Sequence, residues 1–199
     1  MSSLVIAPNY PGPDPLPLVH AADEAKTVSD RVPGRILKPV LFQEVTKSLF
    51  DSQADLVHFV CHGVANSAPG IQALYLEDLR LDSNQMAALP MSANPDKPFV
   101  FLNSCEVGRP VPALNGIGGF AREFIERGAT GVVAPLWSVK DAVAHDVAVT
   151  FYSRLDAVSA VSFAEIIRDI RACAYRGATE GEDSYAAYCF YGDPFATVM

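Results

Sequence analysis

The stretch FVFLNSCEVG, residues 99–108, runs from five residues that suit a buried strand into a polar turn with a cysteine at its centre. Phe99 to Leu102 are apolar without alternation, as in a strand covered on both faces, while Asn103, Ser104 and Gly108 are turn formers. Cys105 therefore falls just past the carboxyl end of a central strand in an α/β sheet. Functional residues gather at such ends because loops leave a rigid scaffold there. A lone cysteine at a strand end is also common as inert packing, so its meaning turns on what stands beside it.

A second stretch supplies the neighbour. DLVHFVCHG, residues 55–63, reads as another buried strand, and it ends in His62-Gly63. If the two strands are parallel neighbours, about 4.8 Å apart, their exits bring His62 within reach of Cys105. A thiol is a weak nucleophile until a base holds it as thiolate, and imidazole titrates in the right range. Gly63 and Cys105 would offer backbone N–H groups to an oxyanion, with the glycine permitting close approach. The pair is a candidate Cys-His dyad for acyl transfer.

Working outward, short apolar runs alternate with amphipathic ones, the pattern of a mostly parallel sheet covered by helices on both faces. The spacing predicts strands at 4–7, 55–61, 73–76, 99–103, 131–135 and 188–192, with helices near 18–31, 40–53, 83–89, 116–127, 140–155 and 162–175. Asp82-Ser83 and Ser162 with Glu165 look like helix N-caps, and Gly128 a C-terminal stop. Residues 9–17 and 93–98 read as connectors, and 109–116 and 176–184 as surface loops. At 199 residues, half of them hydrophobic, the chain is read as a single α/β domain over 1–199 without internal repeats.

Composition excludes several classes. A formal charge of -8, with no basic cluster, opposes a phosphate-tracking surface. The cysteines at 61, 105, 173 and 189 have neither CxxC spacing nor the density of a disulfide scaffold, which points to reduced thiols and a cytoplasmic setting. The apolar run before Pro8 is too short for a signal sequence, and nothing reads as a membrane span. His58, Cys61, His62 and Cys105 are zinc-ligand types. On a strand, though, His58 and His62 would lie roughly 13 Å apart, and Cys61 faces away from His62, so Cys61 and His58 are read as core residues. The glycines of GIGGFA (116–121) come too late after their strand for a dinucleotide turn, and Arg109 lies in the wrong loop spacing for a cysteine phosphatase. His20 and His145 sit in amphipathic helix patterns. Neither a metal nor an organic cofactor is called for.

Four boxes in order resemble the CHAT-domain peptidases, relatives of caspases and separase: HFVCHG (58–63), NSCEVG (103–108), GATGVVAPLWSVKD (128–141) and YGDPFATVM (191–199). The resemblance implies a caspase-like α/β/α sandwich with His62 as base, Cys105 as nucleophile, and Gly63 with Cys105 forming the oxyanion hole. It also implies that the segment holding Trp137, Ser138 and Asp141 walls the pocket for the residue before the scissile bond. Basic-specific members of the clan often carry an acid beside the nucleophile box or just after this tryptophan. Here those positions are Asn103 and Ser138, a lean away from Arg or Lys that Asp141 opposes. The family further implies a protein substrate, which would add as a strand along a sheet edge, and an activating sensor protein or domain, as in bacterial conflict systems. Two other readings stand beside this one: a catalytically silent CHAT-fold interaction module, and a flavodoxin-like domain binding an anionic ligand.

Overall fold

The near-continuous apolar runs become strands because each is buried along its whole length, on both faces of one sheet. A computed structural model describes residues 1–65, 71–89, 98–113, 116–157, 161–177 and 183–197. In chain order the first elements are β1 (Ser3–Ile6), α1 (Ala21–Arg31), β2 (Gly34–Ile36), α2 (Phe42–Asp51), β3 (Leu56–Val60), β4 (Gly63–Ala65), β5 (Gln72–Tyr75), β6 (Arg80–Asp82) and α3 (Ser83–Ala88). Then follow β7 (Phe99–Asn103), β8 (Val111–Ala113), β9 (Gly116–Gly118), α4 (Phe120–Glu126), β10 (Gly131–Pro135), α5 (Asp141–Ala157), α6 (Phe163–Gly177) and β11 (Tyr188–Gly192).

The main sheet has the strand order β11-β10-β7-β3-β1-β2, parallel throughout except for the antiparallel edge strand β11. Helices α1, α5 and α6 cover one face, through Val28, Phe151 and Ile166 among others. The opposite face carries α2, α3 and α4, through Val45, Met86 and Phe124. The result is an α/β/α sandwich. On the α5/α6 side, Phe99 stacks on Phe163 at 4.0 Å and on Phe151 at 5.5 Å, joining the central strand to both helices. No helix among the described residues is long and apolar enough to cross a membrane.

The expected capping boxes form. Asp82 and Gln85 exchange side-chain and backbone hydrogen bonds, as do Ser162 and Glu165. One boundary differs: the helix expected from 116 begins at Phe120, and Gly116–Gly118 instead pairs with Val111–Ala113, inside the expected loop 109–116. Three glycines within four residues lose too much entropy to start a helix, and Gly119, at φ +117°, makes the turn into it. The three-residue strands β2, β4 and β6 are too short to show periodicity. Residues 93–97 of the expected connector and 178–182 of the expected loop lie outside the described residues.

Truncating the shared aromatic of this core, Phe99→Ala, lowers stability by about 3–5 kcal/mol. Urea unfolding checks it, and the midpoint moves with the slope unchanged.

Candidate active site

Strands β3 and β7 pair in parallel with Leu56 opposite Phe99 and Val60 opposite Asn103. Two further residues along each chain lie His62 and Cys105, so the register sets them at the same level beyond the sheet. Side chains alternate along a strand. Leu56, Phe99 and Phe101 face α1, α5 and α6, and His58 on that face reaches Tyr152 of α5. His62 and Cys105 continue this alternation. They line one cleft of about 260 Å³, whose walls include Leu18, Glu24, Asn103, Val139 and Asp141.

The imidazole of His62 is held from the loop after β1. Its Nε2 lies 2.7 Å from the Leu16 carbonyl oxygen. A carbonyl only accepts, so Nε2 carries a proton, which leaves Nδ1 as the nitrogen that can serve as a base. The backbone N–H of His62 donates to the Tyr10 hydroxyl at 3.2 Å, and that hydroxyl donates to the Tyr75 carbonyl at 2.8 Å. Burial, the largest cause, raises the Tyr10 phenol above its ordinary range, so it stays a hydroxyl. Gly63 then passes so close to the Cys105 loop that a Cβ there would lie 2.5 Å from the Cys105 carbonyl oxygen and 2.7 Å from Val107 Cγ1. Only glycine fits where these backbones adjoin.

The Cys105 loop contains one left-handed non-glycine residue, Glu106, at φ +62°. That conformation costs about 1–2 kcal/mol, and the loop is pinned from four sides. Gln72 Nε2 donates to the carbonyls of Glu106 (2.9 Å) and Arg109 (2.7 Å), while its Oε1 accepts from Phe120 N at 3.0 Å. Ala65 N donates to the Glu106 carboxylate, Gly108 N to the Pro135 carbonyl, and the Tyr191 hydroxyl to the Gly108 carbonyl. Cys105 Sγ, half-buried, points to the Val139 carbonyl at 3.8 Å and makes no hydrogen bond to His62.

Beneath the cleft lies a buried polar network. Glu24 Oε1 accepts from Asn103 Nδ2 at 2.7 Å and meets His58 Nε2 at 2.8 Å, and His58 Nδ1 lies 2.8 Å from the Tyr152 hydroxyl. Asn103 Nδ2 also donates to the Ala144 carbonyl, and its Oδ1 accepts from the Tyr188 hydroxyl. Burial holds both phenols well above their ordinary range.

Of the residues singled out in the sequence, His62, Cys105, Asn103 and Asp141 meet at the cleft, and Gly63 braces it. Trp137 packs, half-buried, against the α5/α6 side of the core, with its indole N–H enclosed and unpartnered; neither it nor Ser138 lines this cleft. Cys61 is buried 3.1 Å from Ser104 Oγ, and burial pushes its thiol up to about 12, so it is inert. The other thiols are not all buried: Cys173 is exposed on α6. The rings of His20 and His145 meet at a tilt at the α1/α5 contact, where His145 Nε2 lies 3.0 Å from Asp23. Glu24, Gln72, Tyr10 and the Leu16 carbonyl were not singled out. A polar residue inside an otherwise buried strand was the one available signal for Gln72.

The CHAT domain family model matches residues 7–178. No curated protein matches at the sequence level. Among solved structures, the Arg-specific cysteine proteinase gingipain R of Porphyromonas gingivalis superposes with a TM-score of 0.68 at 15% identity, over 99% of this chain and 47% of that one. A chain of the Saccharomyces cerevisiae separase-securin complex gives 0.59 at 15% identity, over 99% and 12%. Caspase-1 from Spodoptera frugiperda gives 0.61 at 12% identity, over 96% and 85%. The fold is therefore caspase-like, and the chain spans about half of gingipain R and about an eighth of the separase-complex chain.

Gln72→Leu leaves two carbonyls and one N–H without their partner. It costs about 3 kcal/mol and speeds hydrogen exchange at the amides of residues 105–109, read by mass spectrometry against the wild type.

Proposed function

This chain belongs to the CHAT domain family, and from that premise we propose that it is a cysteine endopeptidase working through Cys105 and His62. The observation that carries the reading is the β3–β7 register, which sets both residues at one level on one cleft. Rotation of the Cys105 side chain away from Val139 turns Sγ toward the imidazole. His62 Nδ1 takes the thiol proton, and Sγ attacks the scissile carbonyl carbon. The oxyanion forms against the backbone N–H groups of Cys105 and Gly63. The same Nδ1 gives its proton to the leaving amine, then takes one from the water that cleaves the thioester and restores the free thiol.

The Leu16 carbonyl suits this cycle. It fixes the tautomer and accepts a stronger hydrogen bond when the ring becomes imidazolium. The turned-away thiol supports a slow basal state, which a sensor or activator that moves the loops around the cleft accelerates. A specific protein substrate and a bacterial conflict system complete the reading, and both are carried by the family resemblance. The same thiol geometry also fits the second reading, a catalytically silent interaction module.

Incubation with a proteome-derived peptide library, with new N-termini read by mass spectrometry, separates them. Wild type produces new termini; Cys105→Ala produces none, and His62→Ala at least about 100-fold fewer per unit time. Cleavage unchanged by Cys105→Ala contradicts the reading, and a wild type that never cleaves selects the silent module.

A further inference from the structure

The wall of the cleft carries a carboxyl group that the reaction described above does not use. Glu24, from the first turn of α1, is 2% exposed, yet it borders the cleft that holds Cys105. Both of its hydrogen bonds fall on Oε1. Oε2 takes none among the described residues. The only fully enclosed side-chain polar atom without a partner among those residues is Trp137 Nε1, so Oε2 keeps some exposure, on a residue that borders the cleft.

The network around Glu24 engages only one of its two oxygens. His58 bridges the Tyr152 hydroxyl through Nδ1 and Glu24 Oε1 through Nε2, at 2.8 Å each. Asn103 is neutral, and its amide is turned to donate by the Tyr188 hydroxyl on its Oδ1. Asp141, whose Oδ2 accepts from His20 N at 3.1 Å, adds a second carboxylate, and no Lys or Arg is among the residues lining the cleft.

We propose that Glu24, with Asp141, makes this cleft select a cationic side chain, Arg or Lys, at the residue before the scissile bond. This rests on the peptidase reading of Cys105 and His62 and adds the substrate class to it. A neutral side chain entering the cleft would strip water from Oε2 and return nothing, and an acidic one would meet two like charges. An ammonium or guanidinium pairs with the oxygen that the network leaves open. The sequence lean away from a basic residue looked for the acid at 103 and 138. The structure supplies it from α1 instead, with Asn103 orienting the carboxylate.

The test uses the full chain carrying Cys173→Ser, with peptidyl chloromethyl ketones that differ only in the last residue, Arg, Lys, Leu or Asp. Intact mass gives the rate of adduct formation at Cys105, and iodoacetamide, which lacks that residue, reports separately on the thiol. Arg and Lys reagents are expected to react roughly 100-fold faster than Leu, and Asp slowest. Glu24→Gln, which keeps an acceptor and removes the charge, abolishes the preference; should that variant fail to fold, Asp141→Asn reduces it by a smaller factor. Ketones that react at equal rates, or not at all, while iodoacetamide labels Cys105 in a His62-dependent way overturn the inference and leave the peptidase reading standing. No labelling by any reagent overturns both.

Discussion

Everything at the site depends on the parallel pairing of β3 with β7 in a single register. Because the side-chain period of a strand is two residues, a slip by one would send either His62 or Cys105 to the α2–α4 side of the sheet. The register is guarded by burial: Leu56 and Phe99 are opposite one another on one face, Val57 and Val100 on the other, and all are enclosed. A slip would bury His58 and Asn103 among the apolar side chains of α2 and α4, away from Glu24. The polar network thus specifies the register as well as bordering the cleft.

The role proposed for Cys105 demands exposure, precise aim and attachment to a stable core, and these demands conflict. The chain meets them by loading strain into one residue, Glu106, and surrounding it with side chain to backbone hydrogen bonds from β5, β4 and β11 and a backbone bond from β10. Each such bond contributes about 1 kcal/mol, enough together to outweigh a left-handed residue. The loop is thereby fixed by strands on both sides of β7, while the loop after β1 fixes the imidazole separately. Nothing among the described residues ties Sγ to Nδ1 directly, so the two halves of the proposed pair are positioned independently.

Much of this was legible in the sequence because burial on both faces writes itself as uninterrupted apolar runs. The strands of 99–103 and 131–135 were located to the residue, and the turn formers after Asn103 placed the cysteine at a strand exit. The parts that were not legible are those created by packing between distant segments. Glu24 reads as an ordinary acid in the first turn of an amphipathic helix; only docking of α1 against β1, β2 and β3 turns it inward, to partners 34 residues away at His58 and 79 away at Asn103. Gln72 reads as a polar interruption, and the Leu16 carbonyl as one backbone group in a proline-rich connector. The start of α4 was misplaced because helical spacing of Phe120 and Phe124 outweighed the glycines that stop it from extending backward.

The most direct test of the central claim, that Cys105 and His62 act on one another, is brief alkylation near neutral pH with limiting iodoacetamide, mapped by mass in a Cys173→Ser background and in the same background with His62→Ala. The account predicts labelling concentrated on Cys105, with Cys61 silent, and a rate that falls at least about 10-fold without His62. Labelling of Cys105 at the same rate in both proteins would contradict it.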